Sequence, residues 1–220
     1  MSTGSAVATR KHAHHFRDGE HEFQSSILGV WLFLATEILM FGALIVGYII
    51  YNGVYPELFK SGADFLDWRY GAVNTVALLI SSWTMVMGVR SAQTNNNKAC
   101  VKYLLATLVF ATVFMVIKYI EYTHKFHLGL FPGKFFAPVG DAAALADVSN
   151  QALYFSFYFC LTGLHGLHVL FGMIAIVWVL LRAKKNEFSE NYYTPVEGVG
   201  LFWHLVDLVW IYLFPILYLI

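Results

Sequence analysis

From Ile27 onward the chain alternates between long apolar stretches and shorter polar ones, and the stretch lengths decide the fold class. A helix rising ~1.5 Å per residue needs roughly 20 mostly apolar residues to cross ~30 Å of hydrocarbon. Five stretches meet that length: 27–51, 70–89, 99–120, 152–181 and 198–220. They are too long for barrel strands and lack strict period-two alternation, so helices are predicted. The expected fold is therefore all-α, an integral membrane bundle of five transmembrane helices. Residues 1–26 form a polar tail and 27–220 one five-helix domain. The connections are a loop with Pro and acidic residues (52–69), a short polar turn (93–98), a longer loop (123–151) and a charged linker (182–197). No internal repeat is visible, which disfavours a transporter built from inverted halves.

Composition sharpens this picture. The 220 residues are 58% hydrophobic and 13% charged, which is too apolar for an ordinary soluble domain. With zero formal net charge and no basic stretch interleaved with aromatics, nothing suggests a nucleic-acid surface. The tail holds Arg10, Lys11, Arg17 and four histidines but no apolar core with a cleavage site, so it reads as retained. Cys100 and Cys160 form neither a disulfide framework nor a metal pattern and read as packing residues.

Orientation follows from the basic residues outside the spans. One side has Arg10, Lys11, Arg17, Arg90, Lys98, Lys102, Arg182, Lys184 and Lys185; the other has Lys60, Arg69, Lys125 and Lys134. Nine against four places the N-terminus in the cytoplasm and the C-terminus outside. Trp31, Tyr51, Trp68, Tyr70, Tyr103, Tyr122 and Tyr218 sit near helix ends, where interfacial anchors are expected.

Against this apolar background the polar residues stand out. Glu37 lies near the middle of the first span with no basic residue within two turns. An ionised carboxylate there costs ~2.5–3.5 kcal/mol on insertion scales, which favours a carboxyl that keeps its proton and faces protein or water. It is either a functional acid or a hydrogen-bonded contact between helices. In the fourth span, Thr162-Gly163-Leu164-His165-Gly166-Leu167-His168-Val169 puts His165 and His168 three apart on one face, with two glycines that permit close helix approach. Zinc would need further ligands. A haem held by His168 and His204 would need equal depths. Counting from the helix ends places His168 roughly 20 Å deep and His204 about 10 Å deep. Histidines hydrogen-bonded to neighbouring helices are the simpler expectation. In the last span, His204 and Asp207 are three apart and are expected to pair, structurally or as a proton relay, with Trp203 and Trp210 a heptad apart. Lys118 and Glu121 can pair at the end of the third span, where the lysine is expected to snorkel and anchor that end at the interface.

These residues together resemble the subunit III family of haem-copper oxidases, which includes cytochrome c oxidases and quinol oxidases. The resemblance rests on Glu37, Asn74-Thr75, Glu121, the Thr162–Val169 string, and Glu197 followed by Phe202-Trp203-His204-Leu205-Val206-Asp207-Leu208-Val209-Trp210, in family order across residues 27–220. It implies a non-catalytic subunit of a proton-pumping terminal oxidase in the bacterial inner (cytoplasmic) membrane. Such a subunit binds catalytic subunit I and subunit II and supports proton uptake and stability of the catalytic subunit. Cofactors are expected to be absent from this chain, with haem and copper in the partner subunits, which alone would meet the cytochrome c or quinol donor. The resemblance makes Glu37 the family's buried, carbodiimide-reactive carboxyl and Arg182 its phospholipid-headgroup arginine, although Glu187 and Tyr192 stand where some relatives have histidines. The chain looks like the shorter bacterial form that lacks two N-terminal helices. Cytochrome c is the expected donor. The alternatives are subunit III of a quinol oxidase, an accessory chain of nitric oxide reductase, and, outside the family, a stand-alone proton channel or transporter or a membrane cytochrome b.

Overall fold

Long apolar segments without internal water must satisfy their own backbone groups, and this chain does so with helices. The computed structural model describes residues 19–147, 151–190 and 192–219. The helices are α1 (Gly19–Val54), α2 (Pro56–Ala63), α3 (Trp68–Gln93), α4 (Asn97–His127), α5 (Ala152–Lys184) and α6 (Thr194–Tyr218). All but α2 are long and apolar enough to cross a membrane. Among the described residues there is no strand, only an isolated bridge between Ser189 and Tyr192 in the α5–α6 linker.

The helices outrun the apolar pattern at several ends, because a helix continues into polar sequence when capping or tertiary contacts support it. The first is already helical at Gly19, the first described residue, and so extends N-terminal to the expected residue 27. Residues 1–18 of the expected tail lie outside the described residues. The loop expected over 52–69 contains α2, started by Pro56 and held down by buried Leu58 and Phe59. Gln151 donates to the Leu58 carbonyl at 3.2 Å. The turn before α4 is as short as expected. Asn95 takes φ 58°, a conformation asparagine tolerates, and Asn96 caps α4 by accepting from Ala99 N at 3.1 Å. The loop after α4 is shaped by 3-10 turns at Gly133–Phe135 and Gly140–Asp147.

The start of α1, the end of α3, the start of α4, the end of α5 and the start of α6 share one face of the bundle, here the N-terminal face. Phe23 meets Tyr193 there at 5.9 Å, and Asn97 donates to the Phe188 carbonyl at 2.9 Å. Four helices, α3 to α6, form the body. Their register is set by polar pairs: Trp203 donates to Ser81 at 2.9 Å, Trp210 to Thr75 at 3.1 Å, and Thr84 bonds Thr107 at 2.8 Å. Each such bond is worth ~0.6 kcal/mol on average in a membrane protein, enough to choose a register among apolar contacts of similar energy. α1 lies outside this body. Only 17% of its most apolar stretch is buried, against 28–39% in the other four spans.

Two sequence expectations about packing change here. A Cβ on Gly163 would meet nothing closer than Tyr122 Oη at 3.7 Å, and one on Gly166 nothing within 4 Å, so neither mediates close helix approach. Gly172, one and a half turns further on, does so, since a Cβ there would lie 2.7 Å from the Trp203 ring. Cys100 is fully buried as expected of a packing residue, but Cys160 is exposed on the outer surface.

Candidate functional site

The fold separates the candidate residues into three interior groups and one surface group. The first joins α1 to α5. Glu37 Oε2 lies 2.9 Å from His168 Nε2, and both side chains are largely enclosed. His168 Nδ1 lies 2.8 Å from the Leu164 carbonyl oxygen, which can only accept, so Nδ1 carries a proton. Nε2 therefore either accepts from a protonated Glu37 or donates to an ionised one, and the pair holds a single proton between oxygen and nitrogen. The Phe41 ring, edge-on to the imidazole at 5.1 Å, and Phe202 at 6.3 Å wall it in. Glu37 has no cation in its own helix, as the sequence indicated; its partner is 131 residues away in the chain.

The second group overturns an expectation. Lys118 and Glu121 do pair, Nζ to Oε2 at 3.0 Å, but they are 7% and 4% exposed and do not anchor an interface. Tyr158 from α5 and Tyr218 from α6 donate to Glu121 Oε1 at 2.8 and 2.5 Å, and Lys118 donates to Tyr218 Oη at 2.6 Å. The ammonium also lies over the rings of Trp210 at 4.7 Å, Tyr218 at 5.2 Å, Tyr158 at 5.5 Å and Tyr122 at 5.9 Å. Snorkelling fails because α4 continues to His127, which leaves Lys118 more than two turns from the helix end and facing the bundle. Tyr218, expected as an interfacial anchor, points inward for the same contacts, whereas Trp31, Tyr51, Trp68 and Tyr70 are exposed as anchors should be.

The third group lies between α3 and α6. His204 and Asp207 do not pair. His204 Nδ1 is bonded to Ser82 Oγ at 2.8 Å instead; Asp207 is buried beside the same serine, with no hydrogen bond of normal geometry. The i,i+3 spacing brings two side chains to one face, but a serine on the neighbouring helix is the better-placed partner for the ring. His165 and Asn74 are also fully buried with no hydrogen-bond partner, His165 between the rings of Phe114 at 5.5 Å and Trp210 at 5.2 Å. The depth difference between His168 and His204 is smaller than the helix ends suggested. Gly172 meets Trp203 and His165 meets Trp210, so His204 is level with residue 171, about 4.5 Å from His168. Their partners separate them, since one ring bonds Glu37 on α1 and the other Ser82 on α3. Among the described residues no three His, Cys, Asp or Glu side chains gather as a metal site would require.

Arg182 ends α5 at the N-terminal face. Its Nε donates to Glu187 at 2.7 Å and its Nη2 to Tyr192 at 3.1 Å, with the guanidinium over Trp178 at 4.9 Å. Glu197, in the first turn of α6, keeps one carboxyl oxygen without a partner.

Sequence reasoning missed Tyr158, Ser81 and Ser82, and placed Tyr218 at the interface instead of in the Lys118–Glu121 cluster. A signal was present for the first: Tyr154, Tyr158, Thr162 and His165 follow one another at four, four and three residues, a polar seam along one face of α5. Thr162 bonds Tyr122 at 2.5 Å from that seam.

The cytochrome c oxidase subunit III family model matches residues 8–220. Cytochrome c oxidase subunit 3 of Synechocystis sp. is 32% identical over 210 residues, covering 95% of this chain and 79% of that protein. The cytochrome bo(3) ubiquinol oxidase subunit 3 of Pseudomonas putida is 28% identical, covering 90% of the chain and 86% of the relative. For the quinol oxidase subunit 3 of Bacillus subtilis the identity is 28%, with 95% and 97% covered. With matches of that extent and a bundle of five membrane-spanning helices, the chain belongs to the haem-copper oxidase subunit III family.

Proposed function

We propose that this chain is the redox-silent subunit III of a bacterial inner-membrane cytochrome c oxidase, in which it bears on catalytic subunit I and subunit II and sustains proton uptake. The observation that carries this reading is the Glu37–His168 pair, a one-proton carboxyl–imidazole unit linking the outlying α1 to the body. Such a unit can pass a proton between its two atoms without creating an isolated buried charge. Haem and copper belong to the partner subunits on this reading. The donor set supports that: His168 has both nitrogens engaged and His204 is bonded through Nδ1 to Ser82, while His165 is walled in by two aromatic rings. Relatives named for cytochrome c and for quinol both match, and the former reaches the higher identity among those compared. The cytoplasmic N-terminus follows from the distribution of Lys and Arg. A phospholipid headgroup at Arg182, with Lys184 and Lys185 beside it, completes the proposal.

The test is a pair of substitutions in the assembled complex. Glu37→Gln keeps a hydrogen bond to His168 but no exchangeable acid proton, while Glu37→Ala leaves a buried imidazole unpartnered at ~1–3 kcal/mol. Oxygen consumption, proton release per electron and loss of activity over many turnovers are measured for each. The proposal expects Glu37→Gln to assemble yet pump less or fail sooner than the parent. If Gln equals the parent in all three while Ala loses assembly, the residue only holds α1 in place.

A further inference from the structure

We infer that the outer face shared by α3 and α6 is the seat of a membrane-spanning helix from another subunit, which brings a hydroxyl or carboxamide to His204 Nε2. The inference rests on the reading of the chain as an oxidase subunit and assigns the surface that a partner covers. His204 lies about 15 Å along α6 from Thr194, near the middle of a hydrocarbon layer ~30 Å thick. Its ring is part-exposed between the two helices. Nδ1 is taken by Ser82 Oγ at 2.8 Å, and among the described residues nothing bonds Nε2. The histidines of α5 differ: His168 has both nitrogens engaged within the chain, and His165 is fully buried. Ionisable side chains within membrane helices almost always face a bundle interior or a water-filled cavity, because lipid tails offer no hydrogen bond. An imidazole edge left open on the outer wall at mid-depth therefore belongs to the interior of a larger assembly.

Electrostatic complementarity selects the occupant. In the neutral ring, if Nδ1 accepts from the Ser82 hydroxyl, Nε2 carries the proton and donates; if Nδ1 donates, Nε2 accepts. A serine, threonine, asparagine or glutamine side chain answers either state. An acyl chain answers neither, and the polar atoms of a phospholipid stay at the headgroup level, outside the hydrocarbon. Asp207 is buried beside Ser82, whereas the serine and the histidine are part-exposed, so the site opens outward. Around the ring the wall is shaped for a helix. On α3, Leu79 and Val86 flank Ser82 at three- and four-residue spacing, and on α6, Leu208 and Ile211 follow His204 at four and then three, all four exposed. Two apolar ridges with a polar pair between them match a helix that carries one polar side chain among apolar neighbours.

The test uses the intact complex purified through this chain, with a photoreactive phenylalanine analogue in place of Leu208 or Val86 and the crosslinked segment identified by mass spectrometry. Both positions are expected to capture the same membrane-spanning helix of another subunit, one that carries a hydroxyl or carboxamide residue at the crosslinked level. Replacing that residue by alanine is expected to raise detergent-driven release of this chain about threefold, the average worth of a hydrogen bond between membrane helices. In the His204→Leu background the same replacement is expected to add nothing. Leu208 and Val86 are exposed, so capture is readable whether or not His204→Leu assembles. No capture, capture of lipid alone, of a second copy of this chain, or of different helices from the two positions overturns the docking site. An equal loss in the His204→Leu background overturns the hydrogen bond. The visible spectrum of the same preparation keeps the two readings apart: haem without a captured helix sinks the docking site alone, and a captured helix in a haem-free preparation sinks the oxidase reading alone.

Discussion

At the level of single residues, the two buried acids show how differently a membrane interior treats the same side chain. Glu37 has one partner, an imidazole that shares its proton. Glu121 has three, an ammonium and two phenols. The second arrangement is the more fragile to single changes. Removing one member of a buried pair strands the other charge at a cost of ~3–5 kcal/mol, whereas replacing both with apolar groups of similar volume is near neutral. Lys118→Met alone is therefore expected to destabilise the assembled subunit by that amount, and Lys118→Met with Glu121→Leu by much less, measured as detergent-induced dissociation or thermal loss of the complex. Arg182 invites a test with two signs. Its guanidinium is shared with Glu187, so a phosphate must compete for it. Arg182→Ala is expected to lower retention of anionic phospholipid in native mass spectrometry about fivefold, corresponding to roughly 1 kcal/mol per basic residue, and Glu187→Gln to raise it.

Among the helices, legibility in the sequence followed length. The five spans were readable because ~20 apolar residues in a row have few other uses, while α2 was not, because eight residues with one buried Leu-Phe pair carry no periodic signal beyond the Pro at its start. Pairings were less legible than elements. Spacing three apart predicted the Lys118–Glu121 bond but also a His204–Asp207 bond that does not form, since sequence separation says which side chains share a face and not what faces them. The same limit applied to the glycines: Gly163 and Gly166 stood out in their motif, yet Gly172 is the one pressed against a tryptophan. Gly172→Ala is expected to force Trp203 off its position and cost ~1–3 kcal/mol of stability. Gly163→Ala meets only Tyr122 Oη at van der Waals distance and Gly166→Ala nothing within 4 Å, so both should match or exceed the parent, because alanine is the better helix former by ~1 kcal/mol. Detergent-unfolding midpoints of the three variants would order them.

Considered as a whole molecule, the bundle is a four-helix body with one helix leaning on it. Its outer surface is covered by residues such as Leu39, Tyr119, Phe171 and Ile174, as a surface facing lipid or other apolar chains must be. The basic residues concentrate at the N-terminal face, so cysteines introduced at Lys98 and at Lys60 are expected to react with a membrane-impermeant thiol reagent from opposite sides of intact cells, position 60 from outside. Labelling of position 98 from outside would invert the proposed topology.

The distance in sequence between Glu37 and His168 also bears on how the chain is made. The first helix leaves the ribosome 131 residues before its partner, which at ~5–20 residues per second is a wait of roughly 7–26 s. During that interval α3 and α4 can close on each other across their short turn, but the carboxyl of α1 has no imidazole to meet. Insertion must therefore tolerate an unsatisfied acid in the nascent membrane segment, held by the insertion machinery, by water or by a tilt toward the headgroups, until α5 arrives and fixes α1 in place. The Glu37 carboxyl first meets its imidazole at that arrival, and variants of His168 are expected to prolong the association of the nascent chain with the insertion machinery even where the finished helices are unchanged.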